Sequence, residues 1–128
     1  EHPTILGDGS EAFDFVAVED CARANICAMK SEKTNNFYNV GTGSRTSLKE
    51  LAELLIELTN SKKTINYSKR SQATLVRNRI GCPLKADSEI NYRAKIDLKE
   101  GLERLINWRT AHKKEVESRR ESKRVVNK

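Results

Sequence analysis

Residues 38–47 read YNVGTGSRTS and lead straight into LKELAELLIEL at 48–58. A β-type run, two glycines and a helical pattern follow one another, which is how chains build phosphate cradles. A tight strand-to-helix connection needs glycine for its own sake as well. The dinucleotide fingerprint asks for a third glycine and for an acidic residue ending the next strand. Gly41 and Gly43 fit, but the third position holds Thr46, and the next strand pattern ends at Tyr67-Ser68-Lys69 without an acid. No Gly-Lys-Ser/Thr follows either. The expectation is a turn that needs glycine and offers free N–H groups to an anion, short of a complete cofactor site.

The helix after the turn is the clearest element in the chain. Ser47 and Glu50 form a capping box, in which hydroxyl and carboxylate each satisfy a free backbone N–H. Leu48, Leu51, Ala52, Leu55 and Leu58 repeat at helical spacing, so one face must be covered. Working outward, Thr4 to Leu6 is extended and Phe13 to Val18 alternates as a strand. Glu19-Asp20 opens a helix through Lys30, since acids suit the positive helix N-terminus. Phe37 to Val40 and Thr64 to Tyr67 read as short strands. Residues 68–83 show no period but contain Lys69, Arg70, Arg77 and Arg79. Pro83 starts a short helix from Leu84 to Ile90, with Asn91 as a left-handed cap. Asp97 and Glu100 repeat the box before a last helix carrying Leu98, Leu102, Leu105 and Ile106, and Trp108 ends its packed part. Strands alternating with helices predict an α/β arrangement. As a sheet on its own it would be thin.

The 128 residues fit one modest domain, with 37% apolar and 33% charged residues. No run of about 18 apolar residues is present, so no membrane span is expected. The start lacks the features of a signal peptide; it also lacks Met and lies beside an extended run, so a piece of a longer chain is expected. Cys21, Cys27 and Cys82 make an odd count without Cys-x-x-Cys spacing, against a disulfide framework or a zinc site and in favour of thiols in a reducing cytoplasm. Cys21 and Cys27 lie about 240° apart on a helix and cannot bridge each other. The net charge of +6 is concentrated in residues 109–128, with eight Lys/Arg against three Glu. Such a tail is either a solvated helix extension or a binder of anionic surfaces; it has no aromatic residue to stack on a base, so nucleic acid is not the expected partner.

Three stretches, in order and in register, carry a resemblance. ILGDGSEAFDFVAVEDCARANICAM, FYNVGTGSRTSLKELAELL and LKADSEINYRAKIDLKEGLERLINWR resemble the GDGxxxRDFVyVxDvAxA, yNvGtGxxxSvxel and KAxxxLGwxPxxxLxEGLxxtixW segments of nucleotide-sugar epimerases and dehydratases. These enzymes belong to the extended short-chain dehydrogenase/reductase family, whose UDP-glucose 4-epimerase group the pattern resembles best. The likeness covers nearly all of residues 4–112 and corresponds to roughly the last third of a family member. It implies that residues 1–112 are the C-terminal substrate-binding portion of a Rossmann-type fold, followed by a basic tail at 113–128.

The resemblance also implies a division of labour. An N-terminal Rossmann domain, absent from this chain, would bind NAD and carry a Tyr-x-x-x-Lys pair, while this part would bind the nucleotide-sugar, a UDP-sugar by preference. Here Tyr38, Tyr67 and Tyr92 are followed four residues on by Thr42, Ser71 and Ile96, so no such pair exists and the chain alone should be inactive. Dimerisation is common in the family but uses helices of the other half. Phe13 stands where the family usually has an arginine on the diphosphate. Phe15 stands where an aromatic residue lines the nucleotide pocket, with core packing as the alternative for both. Ser47-Leu48 matches the helix start whose apolar residue lies against the base. Arg70 falls at a second diphosphate arginine, though the Asp that follows it in the family is Ala73 and a solvated loop arginine is the alternative. Arg77 or Arg79 could take over part of that role, or the substrate differs. The rival to an enzyme part is a non-catalytic nucleotide-sugar-binding or interaction module with the same fold.

Overall fold

The computed structural model describes residues 2–69 and 76–126. The elements run β1 (Thr4–Leu6), β2 (Ala12–Phe13), α1 (Val18–Lys30), β3 (Thr46–Ser47), α2 (Leu48–Leu58), β4 (Asn66–Ser68), β5 (Asn78–Arg79), α3 (Leu84–Ile90), α4 (Leu98–Ala111) and α5 (Lys113–Val126). The class is α/β, as the alternating pattern predicts, with very short strands. β1 pairs with β4 in parallel, and β2 sits between antiparallel β3 and parallel β5.

The local signals in the sequence translate directly. Ser47 Oγ accepts from Glu50 N at 3.1 Å while Glu50 Oε2 accepts from Ser47 N at 2.7 Å, completing the capping box of α2. Asn91 ends α3 in the left-handed region with φ 52°. Asp97 caps α4 by accepting from Glu100 N at 2.8 Å. The basic tail is helical, as a helix extension would be, and carries its own Arg119–Glu115 pair at 2.6 Å.

Three expected strands differ and a strand, β5, appears where none was expected, each because strands need partners. The strand expected over Phe13 to Val18 stops at Phe13; Asp14 N makes a final bond to Arg79 O at 3.0 Å, and no strand among the described residues continues alongside. Phe37 to Val40 is extended in sequence character yet joins no ladder. The strand expected at Thr64 to Tyr67 lies at Asn66–Ser68, where β1 fixes its register. β5 falls in the stretch without periodicity: Asn78 and Arg79 become strand only because β2 is next to them.

The core is small. Ala24 from α1, Ala86 and Ile90 from α3, and Tyr92 are buried together, with Cys27 and Tyr38 packed against them. α2 buries no residue fully, and Val18, Leu105 and Trp108 are 76%, 56% and 48% exposed. Apolar stripes that the sequence marked for burial are therefore only half covered by this chain. The three cysteines are free thiols, Cys82 exposed. No helix among the described residues is long and apolar enough to cross a membrane.

Candidate functional site

The glycine turn does not present its amides to solvent. Asp14, one residue beyond β2, takes them: Thr42 N and Gly43 N donate to its two oxygens at 3.0 and 2.9 Å, and Thr42 Oγ1 donates at 2.5 Å. A Cβ on Gly41 would fall well inside contact distance of Asp14 Oδ2 and 3.2 Å from its Cγ. Gly43 adopts φ 75°, a region that favours glycine, and lies against Pro83. The expectation that the turn offers free N–H groups to an anion is corrected by this carboxylate from the same chain, which fills the cradle. The residues present do not fit the phosphates of NAD.

A second aspartate organises the opposite wall. Asp20, 1% exposed in the first turn of α1, accepts from Lys95 N and Ile96 N at 2.9 and 3.0 Å and pairs with Arg23. Arg23 in turn lies over the Tyr92 ring, 5.3 Å from its centroid, and donates to Arg93 O at 2.6 Å. The chain from 93 to 97 is thereby held against the start of α1.

Between these two anchored segments a cavity of about 330 Å³ opens, lined by Phe15, Thr42, Ser44, Thr46, Arg93 and Lys95 among others. A larger apolar groove of about 490 Å³ adjoins it, with Phe15, Val16, Val18, Leu98, Leu105 and Trp108 in its walls. Arg104 bridges Glu19 and Glu100 at 3.4 and 2.6 Å, linking α1 to α4 beside the groove. Among the described residues Phe15 is the one sequence-predicted binding candidate that lines both spaces, beside Asp97 and Leu98.

The other candidates gather around β2. Phe13 meets Phe15 edge-on at 6.2 Å between ring centroids, and stands in register between Thr46 and Arg79. Ser47 pairs with Ala12, and Leu48 N donates to Glu11 O at 2.9 Å. Ser47 is buried, and its hydroxyl donates to Glu50 at 2.6 Å, so its task is to fix where α2 begins. Arg77 gives its carbonyl to Ala12 N at 2.9 Å, and its side chain is exposed. The amide and hydroxyl of Ser10 hold the Asp8 carboxyl below its usual value, and the charge of Arg77 adds to the effect. Arg70 lies outside the described residues. Asp14, Asp20, Arg93 and Lys95 were missed by sequence reasoning; for Asp14 the only signal was a carboxylate inside a β-type run.

Both aspartates give a pH dependence with a definite sign. Burial pushes each carboxyl up, but hydrogen bonds outweigh it: from Thr42, Gly43 and Gly81 at Asp14, and from Ile96, Arg23 and Lys95 at Asp20. Each folded value thus lies below the ordinary 3.8. A depressed folded value means stability that is complete above the unfolded value and is lost as pH falls through the folded one. The urea midpoint should be level from neutral pH to about pH 5 and drop below about pH 4, and Asp14→Asn should flatten part of that drop. A midpoint that rises on acidification would contradict the assignment.

The NAD dependent epimerase/dehydratase family matches residues 1–41. A putative UDP-glucose 4-epimerase of Methanocaldococcus jannaschii is 34% identical over 108 residues, covering 84% of this chain and 34% of that protein. The chain belongs to the NAD-dependent epimerase/dehydratase family. Among family structures, the UDP-glucose 4-epimerase of Thermotoga maritima with UDP-glucose superposes with a TM-score of 0.75 at 36% identity, covering 80% of this chain and 33% of that one. An epimerase of Methanothermobacter thermautotrophicus gives 0.86 at 27% identity, covering 91% and 35%. The chain thus spans about a third of the length of the family members it matches. The fold is a fragment of the Rossmann-type fold of these extended short-chain dehydrogenase/reductase enzymes, and the part shared with them is C-terminal.

Proposed function

We propose that residues 1–112 are the nucleotide-sugar-binding C-terminal portion of an NAD-dependent epimerase or dehydratase acting on a UDP-sugar. In this reading NAD and the Tyr-x-x-x-Lys pair belong to an N-terminal Rossmann domain. That domain would cover the exposed apolar residues of the groove, and its sheet would take up the extended run Phe37 to Val40. One observation carries the proposal. The superposition with a UDP-glucose-bearing epimerase spans 80% of this chain, and the chain's own glycine turn is closed to a cofactor by Asp14.

Each residue then has a role that follows from its surroundings. Phe15 forms the apolar wall of the ligand space, and Phe13 supports it from the sheet. Ser47 fixes the start of α2 and so sets Leu48 against the base. Arg70, assigned by the resemblance alone, is a cation toward the diphosphate, with Arg77 or Arg79 able to take part of that role, since a planar, permanently charged guanidinium is suited to phosphate oxygens. When bound in the other domain, NAD would take up and return a hydride; the residues of this chain bind and orient the sugar nucleotide and exclude water around it.

The test joins this chain to the N-terminal two-thirds of the Methanocaldococcus relative. The joined protein should interconvert UDP-sugar epimers with NAD present, while the 128-residue chain alone should turn over none. Turnover by the chain alone would contradict the division of labour. A joined protein that folds and binds both NAD and UDP-glucose without turnover would favour the non-catalytic nucleotide-sugar-binding module instead.

A further inference from the structure

The family resemblance covers residues 4–112, and α5 continues beyond it with a charge unlike that of the rest of the chain. Residues 113–126 carry six Lys/Arg against three Glu, whereas residues 1–108 carry sixteen against fifteen. The positive charge is gathered on one element. His112 joins that element to the body. Its N donates to Trp108 O at 3.0 Å, its ring stacks on the Trp108 ring at 4.8 Å between centroids, and Val116 N donates to His112 O at 3.1 Å. Helical spacing then sorts the charges. Lys113, Val116, Arg120, Lys123 and Arg124 occupy positions within an arc of about 100°, which runs about 16 Å along the axis. Glu115, Glu117 and Glu121 fall outside that arc, and Glu115 pairs with Arg119 at 2.6 Å. Among the described residues no hydrogen bond or ion pair holds the exposed Lys113 side chain. The apolar residues of α5 are valines, with no Leu, Ile, Phe, Trp or Tyr. The helix therefore has neither a stripe to bury in a core nor the aromatic anchors of a protein interface.

We propose that α5 moors the chain to an anionic phospholipid surface. An arc of cations without acids is attracted to such a surface with no need for matching shape, and each Lys or Arg near it adds to the affinity. Headgroup phosphates accept hydrogen bonds from guanidinium and ammonium groups alike. Without long apolar side chains the helix rests on the headgroups and is released by salt. The near-neutral body takes no part, so the contact is confined to the end of the chain. Nucleic acid is the poorer fit, because α5 has no aromatic ring on which a base could stack. This mooring is independent of the nucleotide-sugar reading above.

The experiment mixes the full chain with vesicles of phosphatidylcholine alone or with about 30% phosphatidylserine. Binding is followed by sedimentation and by the fluorescence of Trp108, the one tryptophan of the chain. Acidic vesicles should bind at least about tenfold more tightly than neutral ones, and the difference should vanish between about 0.05 and 0.3 M salt. Arg120→Gln/Arg124→Gln, inside the arc, should weaken binding to acidic vesicles by roughly 30-fold. Lys114→Gln/Arg119→Gln, outside it, should stay within about fivefold. Gln is a good helix former, so neither change removes the helix itself. The proposal is overturned if acidic and neutral vesicles bind alike, or if the two double variants lose equally. A DNA duplex that binds more tightly than acidic vesicles at equal phosphate concentration overturns it too.

Discussion

Asp20→Ala is expected to destabilise the chain by about 3–5 kcal/mol, the cost of removing one partner of a buried, hydrogen-bonded pair. The carboxylate is 1% exposed and bonds to two backbone amides and to Arg23. Alanine leaves the Lys95 and Ile96 N–H groups without their acceptor and leaves Arg23 with the Arg93 carbonyl alone. The consequence reaches the site, because Lys95 and Ile96 are the residues whose amides are released and both line the polar cavity. Asp20→Asn keeps one acceptor oxygen and should lose about half as much. Urea unfolding followed by circular dichroism measures both. With so small a core, the alanine variant should show no cooperative transition at 37 °C. A loss below about 1 kcal/mol would mean that Asp20 does not join α1 to the segment before α4.

Gly41→Ala is the second large effect, at about 1–3 kcal/mol, the range for losing the hydrogen bonds of a partly buried carboxylate. Its new Cβ collides with the Asp14 carboxylate, which must leave the turn and give up its bonds to Thr42 and Gly43. Asp14→Ala removes the same bonds without the collision and should cost a similar amount. Once Asp14 is alanine, adding Gly41→Ala should cost under about 0.5 kcal/mol, because the two changes destroy one interaction. Additive losses would show that Gly41 is needed for its own backbone conformation and not to admit the carboxylate.

This pair also shows what could be read in advance. The glycines of YNVGTGSRTS announced a constrained turn, and the capping box of α2, the left-handed Asn91 and the Asp97 cap were legible because each depends on residues within a few positions. The occupant of the turn was not, since Asp14 and Thr42 are 28 residues apart in sequence. The same limit governs the strands. β5 consists of an asparagine and an arginine, with no alternation to reveal it, and exists because β2 lies alongside. Phe37 to Val40 has strand character without a partner among the described residues. Phe15 was a candidate from its resemblance to family members and lines both cavities, whereas the pairing of Arg79 with Phe13 is visible only in the sheet register.

The central claim is that this chain carries the nucleotide-sugar side of the enzyme, and mapping UDP-glucose on the isotopically labelled chain by nuclear magnetic resonance tests it most directly. The account predicts amide shifts concentrated at residues 13–15, 44–48, 78–80 and 93–98, around Phe15 and the sheet face beside it. Shifts confined to the basic helix α5, or none at all, would contradict it.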